Sequence, residues 1–203
     1  MFVRTIYATG DPANIGTAIE GLTTESRQLL EQQPGFRGIG VFADRELGKL
    51  LGVSWWDSEE ARSNSDEAMR QRRAAVMERF AATTTIDNYE VAVFHQVRQP
   101  QPGAGLRVTR VEFDPSDADL FAETFRATVV PRLDTLPGLA RASLLLDRDR
   151  GRGLVGAVFT DREALAASRS GQAAARHEAA AKAHVTVTAL EEFEVIVSDI
   201  RAD

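Results

Sequence analysis

The chain has 203 residues, enough for one large domain or two small ones, and a formal net charge of −6. This acidic balance argues against a nucleic-acid partner, for which a basic face would be expected. The absence of cysteine excludes disulfides, thiolate metal sites and a cysteine nucleophile, and it fits a reducing compartment. No apolar run approaches the ~20 residues of a membrane span, and the N-terminus lacks the order of a secretion signal. The sequence therefore predicts a soluble cytoplasmic protein with no membrane partner.

The first half of the chain alternates between strand-like and helix-like segments. Residues 2–8 are rich in β-formers, and Gly10-Asp11-Pro12 ends this strand and opens a helix. That helix carries one apolar stripe and stops at Pro34-Gly35. Asp57, with Glu60 three residues later, is typical of a second helix start. The predicted order is β-α-β-β-α-β, with strands over 2–8, 36–43, 49–56 and 89–97 and helices over 13–33 and 57–82.

The second half repeats this order after a linker. Residues 98–105 contain two prolines and two glycines and are predicted to form that linker. Thr160 and Glu163 match the Thr-x-x-Glu capping box at the start of the last helix. Pro131 is expected to kink the first helix of this half, which is predicted to end at 136. The predicted strands cover 106–113, 139–146, 154–159 and 193–197, and the two helices end at 136 and 183.

Landmarks of the first half recur at one constant offset. Residue 34 matches 137, 44 matches 147 and 60 matches 163, each 103 positions later. A constant offset across most of the chain indicates a tandem duplication. We therefore predict a first domain over 1–97, a linker over 98–105 and a second domain over 106–203, called here the first and second copies.

The repeated order is that of a ferredoxin-like unit, whose two helices cover one face of the sheet and leave the other bare. Strand residues such as Val91, Ala92 and Val93 are apolar on both faces, so the bare face must also be buried. The economical partner is the other copy, sheet against sheet. We therefore predict an α+β fold of two ferredoxin-like repeats, present as a monomeric pseudo-dimer or as a homodimer.

This arrangement resembles the dimeric α/β-barrel superfamily, and within it the antibiotic biosynthesis monooxygenase (ABM) family. The matching residues are Pro34-Gly35-Phe36 after the first helix and Trp56-Asp57-Ser58-Glu59-Glu60 at a strand-to-helix junction. The resemblance implies an intramolecular barrel, with a ligand cavity under the helices that the residue matching Trp56 lines. It leaves the activity open, because the superfamily includes oxygenases, haem degraders, dismutases and members of unknown role.

The haem-degrading branch of this superfamily uses an asparagine on the first strand, a tryptophan, and a histidine on the second helix. This chain has Tyr7 in that region of the first strand, and no histidine occurs over 58–82. Haem degradation is therefore disfavoured. Nucleotide-binding and esterase motifs are absent as well, and the histidines lack a carboxylate partner at metal-ligand spacing. We expect neither a cofactor nor a metal.

Two kinds of strand residue in the first copy are candidates for chemistry. Trp55 and Trp56 point to opposite sheet faces, so either Trp56 faces a cavity or both simply pack in the core. Arg4 and Arg107 match at the 103 offset, and Glu90 and Glu194 match on the last strands. Each arginine is predicted either to pair with its glutamate across the ladder or, for Arg4, to hold an anionic oxygen of a ligand.

Tyr7 and His95 are polar residues of the first copy without a counterpart in the second. His95 is either a base near neutral pH or a satisfied surface residue. The leading hypothesis is a cofactor-independent monooxygenase-like protein for an aromatic small molecule, with Trp56, Tyr7 and Arg4 as cavity wall and donors and His95 as base. The alternative is a non-catalytic binding or structural protein on the same fold.

Overall fold

The structure is a computed structural model, and it describes residues 1–78 and 80–201. Its strands are β1 (Phe2–Gly10), β2 (Phe36–Asp44), β3 (Lys49–Trp56), β4 (Ala81–Gln96), β5 (Gly105–Glu112), β6 (Leu139–Asp147), β7 (Arg152–Phe159) and β8 (Thr186–Ile200). Its α-helices are α1 (Ile15–Gly21), α2 (Arg27–Glu31), α3 (Glu59–Glu78), α4 (Ala118–Thr124), α5 (Val130–Asp134), α6 (Arg162–Ala167) and α7 (Arg169–Ala183).

The described strands form a closed antiparallel barrel in the order β1-β3-β2-β8-β5-β7-β6-β4. Helices follow the strands in the order β-α-β-β-α-β, twice over. This confirms the predicted α+β fold of two ferredoxin-like repeats in one chain.

By their internal contacts, the residues divide into two compact units. The first unit holds Met1–Asn88 with Val195–Asp203, and the second holds Tyr89–Glu194. The division falls inside β4 and β8, so each of these long strands contributes to both units. The domain bounds taken from the repeat describe the duplication, and they stay a prediction.

In the first unit, β1 and β2 flank β3, with Arg4 opposite Ser54 and Val41 opposite Gly52. Helices α1 and α3 pack on this sheet. The core between them contains large apolar side chains from both layers, which follow from the apolar stripes of the helices. They include Ile15, Leu22, Leu50, Trp56, Met69, Val76 and Phe80.

In the second unit, β5 pairs with β7 and β8, and β6 pairs with β7 and β4. Helices α4 and α5 pack against α7, and α6 packs against β5 and β7. The core again combines helix and strand residues, among them Phe121, Phe125, Leu144, Phe159 and Leu165.

Helix starts follow the duplication, one residue away from the predicted caps. Ser58 Oγ accepts a hydrogen bond from the Ala61 N–H (3.1 Å), and Asp161 Oδ1 accepts one from the Ala164 N–H (2.7 Å). The predicted caps Asp57 and Thr160 are therefore wrong by one position. Ser58 and Asp161 match at the 103 offset, and a short side-chain oxygen suits either position.

The last strand of each copy is longer than predicted. β4 begins at Ala81 rather than 89, and β8 spans Thr186–Ile200 rather than 193–197. The helix predicted up to 82 ends at Glu78, with Arg79 outside the described residues. The run Thr83-Thr84-Thr85-Ile86 explains the difference, because β-branched side chains favour strands over helices.

Two turn glycines in left-handed conformation also match at the 103 offset, Gly48 (φ 61°) and Gly151 (φ 59°). A Cβ added at Gly151 would overlap the carbonyl oxygen of Phe113. A Cβ added at Gly103, where φ is 85°, would meet only open space. A comparison of Gly103 with Gly151 therefore separates the conformational cost of a side chain from its steric cost.

We predict that Gly103→Ala costs about 1–2 kcal/mol, the strain of a left-handed alanine. Gly151→Ala should cost about 3 kcal/mol or more, because the backbone at Phe113 must also move. Urea unfolding monitored by tryptophan fluorescence measures both changes at constant m-value. Equal transition midpoints for the two variants would contradict the steric argument.

Candidate functional site

Both tryptophans of the first copy are core residues. Trp56 is 0% exposed, its Nε1 donates to Ser54 Oγ (3.0 Å), and its ring meets Phe36 edge-on at 5.5 Å. Trp55 is also buried. The indole donor of Trp56 is thus already used inside the protein, and Trp56 is absent from the described lining of the pocket under α3.

Tyr7 and His95 belong to different units. Tyr7 lies half-buried on β1 in the first unit, opposite Leu51 of β3. His95 lies in the second unit, where its Nε2 is 2.7 Å from Asp134 Oδ1 at a partly exposed position. The roles predicted for both residues stay predictions.

The predicted pair of Arg4 with Glu90 is wrong. Arg4 Nη1 donates to Ser65 Oγ (3.0 Å) and Nη2 to the Arg62 carbonyl (2.6 Å). Glu90 is instead bound by Arg148. Because α3 packs on β1, the long side chain of Arg4 reaches the helix instead of running along the sheet. Burial lowers the pKa of Arg4 to about 10, although the charge of Asp66 opposes this.

In the second copy, Arg107 pairs with a glutamate of the predicted strand, but this glutamate is Glu192 and not the predicted Glu194. Arg107 Nε donates to Glu192 Oε1 (3.1 Å), and the register of β5 and β8 sets these two residues opposite each other. Arg169 Nη2 donates to the other oxygen of Glu192 at 2.8 Å. The hydrogen bond from Arg169, together with that from Arg107, lowers the pKa of Glu192 to about 2 against the opposing effect of burial.

A pocket lies between the sheet and helices of the first unit, and its space of about 450 Å³ includes solvent at its mouth. We call it the first pocket; its lining combines two arginines with mostly apolar residues: Arg4, Ile6, Leu22, Ser26, Leu30, Ile39, Val41, Gly52, Val53, Ser54, Met69 and Arg73. Asp66 stands beside both arginines, 2.8 Å from Arg73 Nη2 and 3.6 Å from Arg4 Nη2. Burial raises the pKa of Asp66, but the hydrogen bond and charge of Arg73, with the other arginines, bring it below the usual value.

A second pocket lies under the helices of the second unit, and its space of about 550 Å³ includes solvent at its mouth. It is lined by Arg107, Thr109, Val111, Phe121, Phe125, Val129, Leu133, Val155, Ala157, Gln172, Ala175, Arg176, Ala179, Ala180, Val185 and Val187. Aromatic and aliphatic side chains dominate this lining, and four polar side chains interrupt it. Such a lining is typical of small-molecule sites.

The two pockets correspond through the duplication. Arg4 matches Arg107 and Arg73 matches Arg176, each 103 positions later. Their walls also share an irregular feature of the first helix. The segments Leu22–Ser26 and Phe125–Val129, again 103 apart, are π-helical and provide lining residues in both units. A π-helical turn at one site is frequently functional, and here it recurs.

Proline is not the cause of this irregular turn. Pro131 lies just after the π-helical segment of the second copy, close to the predicted kink. The matching residue of the first copy is Gln28, and the π-helical segment is present there too. The turn therefore belongs to the repeated unit.

One difference in charge between the two pockets is a reversal of sign at a matched position. Asp66 of the first copy corresponds to Arg169 of the second. The carboxylate of the second site comes instead from Glu192 on β8, which binds Arg107 and Arg169. Within residues 1–78 and 80–201, Arg176 has neither a hydrogen bond nor an ion pair. Burial and the charge of Arg107 lower its pKa.

The sequence analysis did not identify Arg73 or Arg176 as candidate site residues, and Arg62 on the same helix as Arg73 is also buried. The constant offset could have identified Arg73 and Arg176. Among the arginines of α3, only Arg73 aligns with an arginine of the second copy, whereas Arg62, Arg70 and Arg72 align with Leu165, Ala173 and Ala175.

The described part of the chain has no cluster of three or more histidine, cysteine or acidic residues placed to hold a metal. No helix within it is long and apolar enough to cross a membrane.

We predict that the contacts of Glu192 stabilise the fold above about pH 4.5 and that this contribution is lost as the pH falls towards 2, because the folded pKa lies below the usual 4.5. The unfolding free energies of the wild type and Glu192→Gln should therefore converge on acidification. A carboxyl NMR titration should give a midpoint near 2 for Glu192, and a higher one in Arg169→Gln. A midpoint at 4.5 in the folded wild type would contradict this account.

No family model matches the sequence. Uncharacterized protein Rv2557 of Mycobacterium tuberculosis is 29% identical over 155 residues, which cover 76% of this chain and 69% of that protein. Uncharacterized protein Rv2558 of the same organism is 25% identical over 204 residues, covering 99% of this chain and 86% of that protein. The chain is thus similar to these mycobacterial proteins over most of its length.

Solved structures resemble the chain over nearly its whole length. An anthrone oxidase-like protein superposes with a TM-score of 0.72 at 16% identity, covering 97% of this chain and 91% of that one. A proposed monooxygenase from Fusobacterium nucleatum gives 0.72 at 13% identity, covering 98% and 94%. At such identities the likeness concerns the fold alone. The chain has the dimeric α/β-barrel fold, like these proteins.

Proposed function

We propose that the protein binds an aromatic small molecule in the second pocket and acts as a cofactor-independent monooxygenase on it. The observation that carries this proposal is the second pocket itself, with Phe121 and Phe125 in its walls and Arg107 and Arg176 at its polar side. Its lining is mostly apolar with a few polar side chains, as is usual for small-molecule sites. The anthrone oxidase-like neighbour supports the same class of ligand, by analogy of fold.

The chemistry would rest on the substrate as electron donor. An acidic CH₂ group beside a carbonyl loses a proton, and the guanidinium groups of Arg107 and Arg176 stabilise the resulting enolate. The enolate passes one electron to O₂, and the two radicals combine at carbon to give a peroxide anion, which takes a proton from water to become a hydroperoxide. Loss of water then leaves a new carbonyl, so one oxygen atom enters the product and the other leaves as water.

The lining limits which substrates can react in this way. No carboxylate or imidazole is among the described residues that line the second pocket, so no side chain there is a strong base. The proton must pass to water, and the substrate must be acidic enough to ionise near neutral pH. Anthrones, whose enolates are aromatic, fit this requirement.

The second candidate is a binding protein without activity. The missing base in the second pocket favours it, as does the use of the Trp56 donor inside the core. Both candidates require the same pocket, and they differ only in O₂ consumption.

We predict that anthrone raises the melting temperature by mass action and consumes O₂ in an electrode assay. Ala179→Leu, which fills the second pocket, should abolish both effects. Ser26→Val changes the first pocket to the residue type of the matching Val129 and should leave both effects intact. Melting of each variant without anthrone checks its fold.

Binding without O₂ uptake would favour the non-catalytic candidate. If Ser26→Val rather than Ala179→Leu removed the effects, the proposed site would be wrong. If anthrone changed neither the melting temperature nor the O₂ consumption of the wild type, the proposed function would be wrong.

A further inference from the structure

We infer that the second pocket selects ligands that carry one negative charge on an aromatic body, with Arg176 as the group that binds the charge, whereas the first pocket lacks this selectivity because Asp66 occupies its arginines. This inference rests on the proposed use of the second pocket as a ligand site. It adds the charge of the ligand and the residue that recognises it.

The first step is the state of the two matched arginines. Arg73 donates to Asp66 Oδ1 at 2.8 Å, and the same carboxylate lies 3.6 Å from Arg4. Arg176 lines the second pocket at the matching position, and no described residue bonds to it. A partly buried guanidinium is costly to leave without a partner, because water solvates it incompletely there. An anionic ligand would supply the missing partner.

The second step is the balance of charge. In the second unit the carboxylate of Glu192 is shared by Arg107 and Arg169, so it is already saturated by two cations. Arg169 stands at the position of Asp66, the aspartate that pairs with Arg73 and Arg4 in the first pocket. Three arginines and one carboxylate around the second pocket leave an excess of two positive charges, against one for the two arginines and the aspartate of the first pocket. An anionic ligand reduces this excess.

The third step is the shape and polarity of the lining. Thr109 and Gln172 of the second pocket replace Ile6 and Met69 of the first, so the second pocket has more hydrogen-bonding groups. Gln172 Nε2 donates to Ser168 Oγ (2.6 Å), which fixes the amide. The rest of the lining is aromatic and aliphatic, with Phe121, Phe125 and Leu133 among it. A flat aromatic carboxylate or enolate suits this combination, since arginine binds two oxygens with parallel hydrogen bonds.

We predict that the full-length protein binds 2-naphthoate at one site and binds the neutral 2-naphthamide at least about tenfold more weakly in calorimetry. Arg176→Met keeps an apolar stem but removes the charged guanidinium, and it should remove this preference. Arg176→Lys should restore part of it. Melting of each variant without ligand reports on folding.

Equal affinity of the wild type for 2-naphthoate and 2-naphthamide would overturn the inference, and so would unchanged naphthoate binding in Arg176→Met. Because neither probe reacts with O₂ as an anthrone does, these results are independent of catalysis. Charge-selective binding without anthrone oxidation would leave the inference intact and reject the oxygenase.

The first pocket provides the converse experiment. Asp66→Asn removes the carboxylate beside Arg73 and Arg4, and we expect a second naphthoate site to appear. Arg73→Met added to Asp66→Asn should remove that new site again. A stoichiometry that stays at one in Asp66→Asn would overturn the assignment of the difference to Asp66.

Discussion

In each copy, an arginine of the first strand is buried beneath the helix that follows the third strand. The structure around each pocket depends on which groups bind this guanidinium and balance its charge. Arg4 and Arg107 are each 5% exposed. A buried charge is tolerated only with hydrogen bonds and a counter-charge. The first requirement is met identically in both copies, because Arg4 donates to the carbonyl of Arg62 and Arg107 to that of the matching Leu165. The second requirement is met differently.

The serine that follows this carbonyl holds the local helix geometry in both copies. Ser65 Oγ donates to the Arg62 carbonyl at 2.7 Å, and Ser168 Oγ donates to the Leu165 carbonyl at 2.6 Å. In the first copy this serine also accepts from Arg4, and in the second it accepts from Gln172. The repeated element is therefore a serine and a carbonyl, to which each copy has attached a different polar partner.

The fold could be predicted from the sequence because the duplication includes residues that restrict the backbone, such as Pro34-Gly35 and the matching Pro137-Gly138. It did not predict the ion pairs. Knowing that two strands are neighbours does not fix their register, so Glu194 was expected where Glu192 lies. Arginine adds a further difficulty, because its long side chain let Arg4 leave the sheet for α3. Charge pattern alone also cannot distinguish the exposed Arg70 of α3 from the buried Arg73.

The position of the counter-charge decides what each pocket can still bind. Asp66 is seven residues from Arg73 on the same helix, so their ion pair does not depend on the position of any other element. The guanidinium of Arg73 therefore keeps its counter-charge. Glu192 comes from a strand and meets Arg107 and Arg169, on the strand beside it and at the start of α7. Arg176 lies two turns further along α7, with no described carboxylate bonded to it. The change from Asp66 to Arg169 therefore separates a pocket whose Arg73 is held by a carboxylate from one whose matching Arg176 has no described carboxylate bonded to it. The pair of pocket arginines and the π-helical segment are kept in both copies.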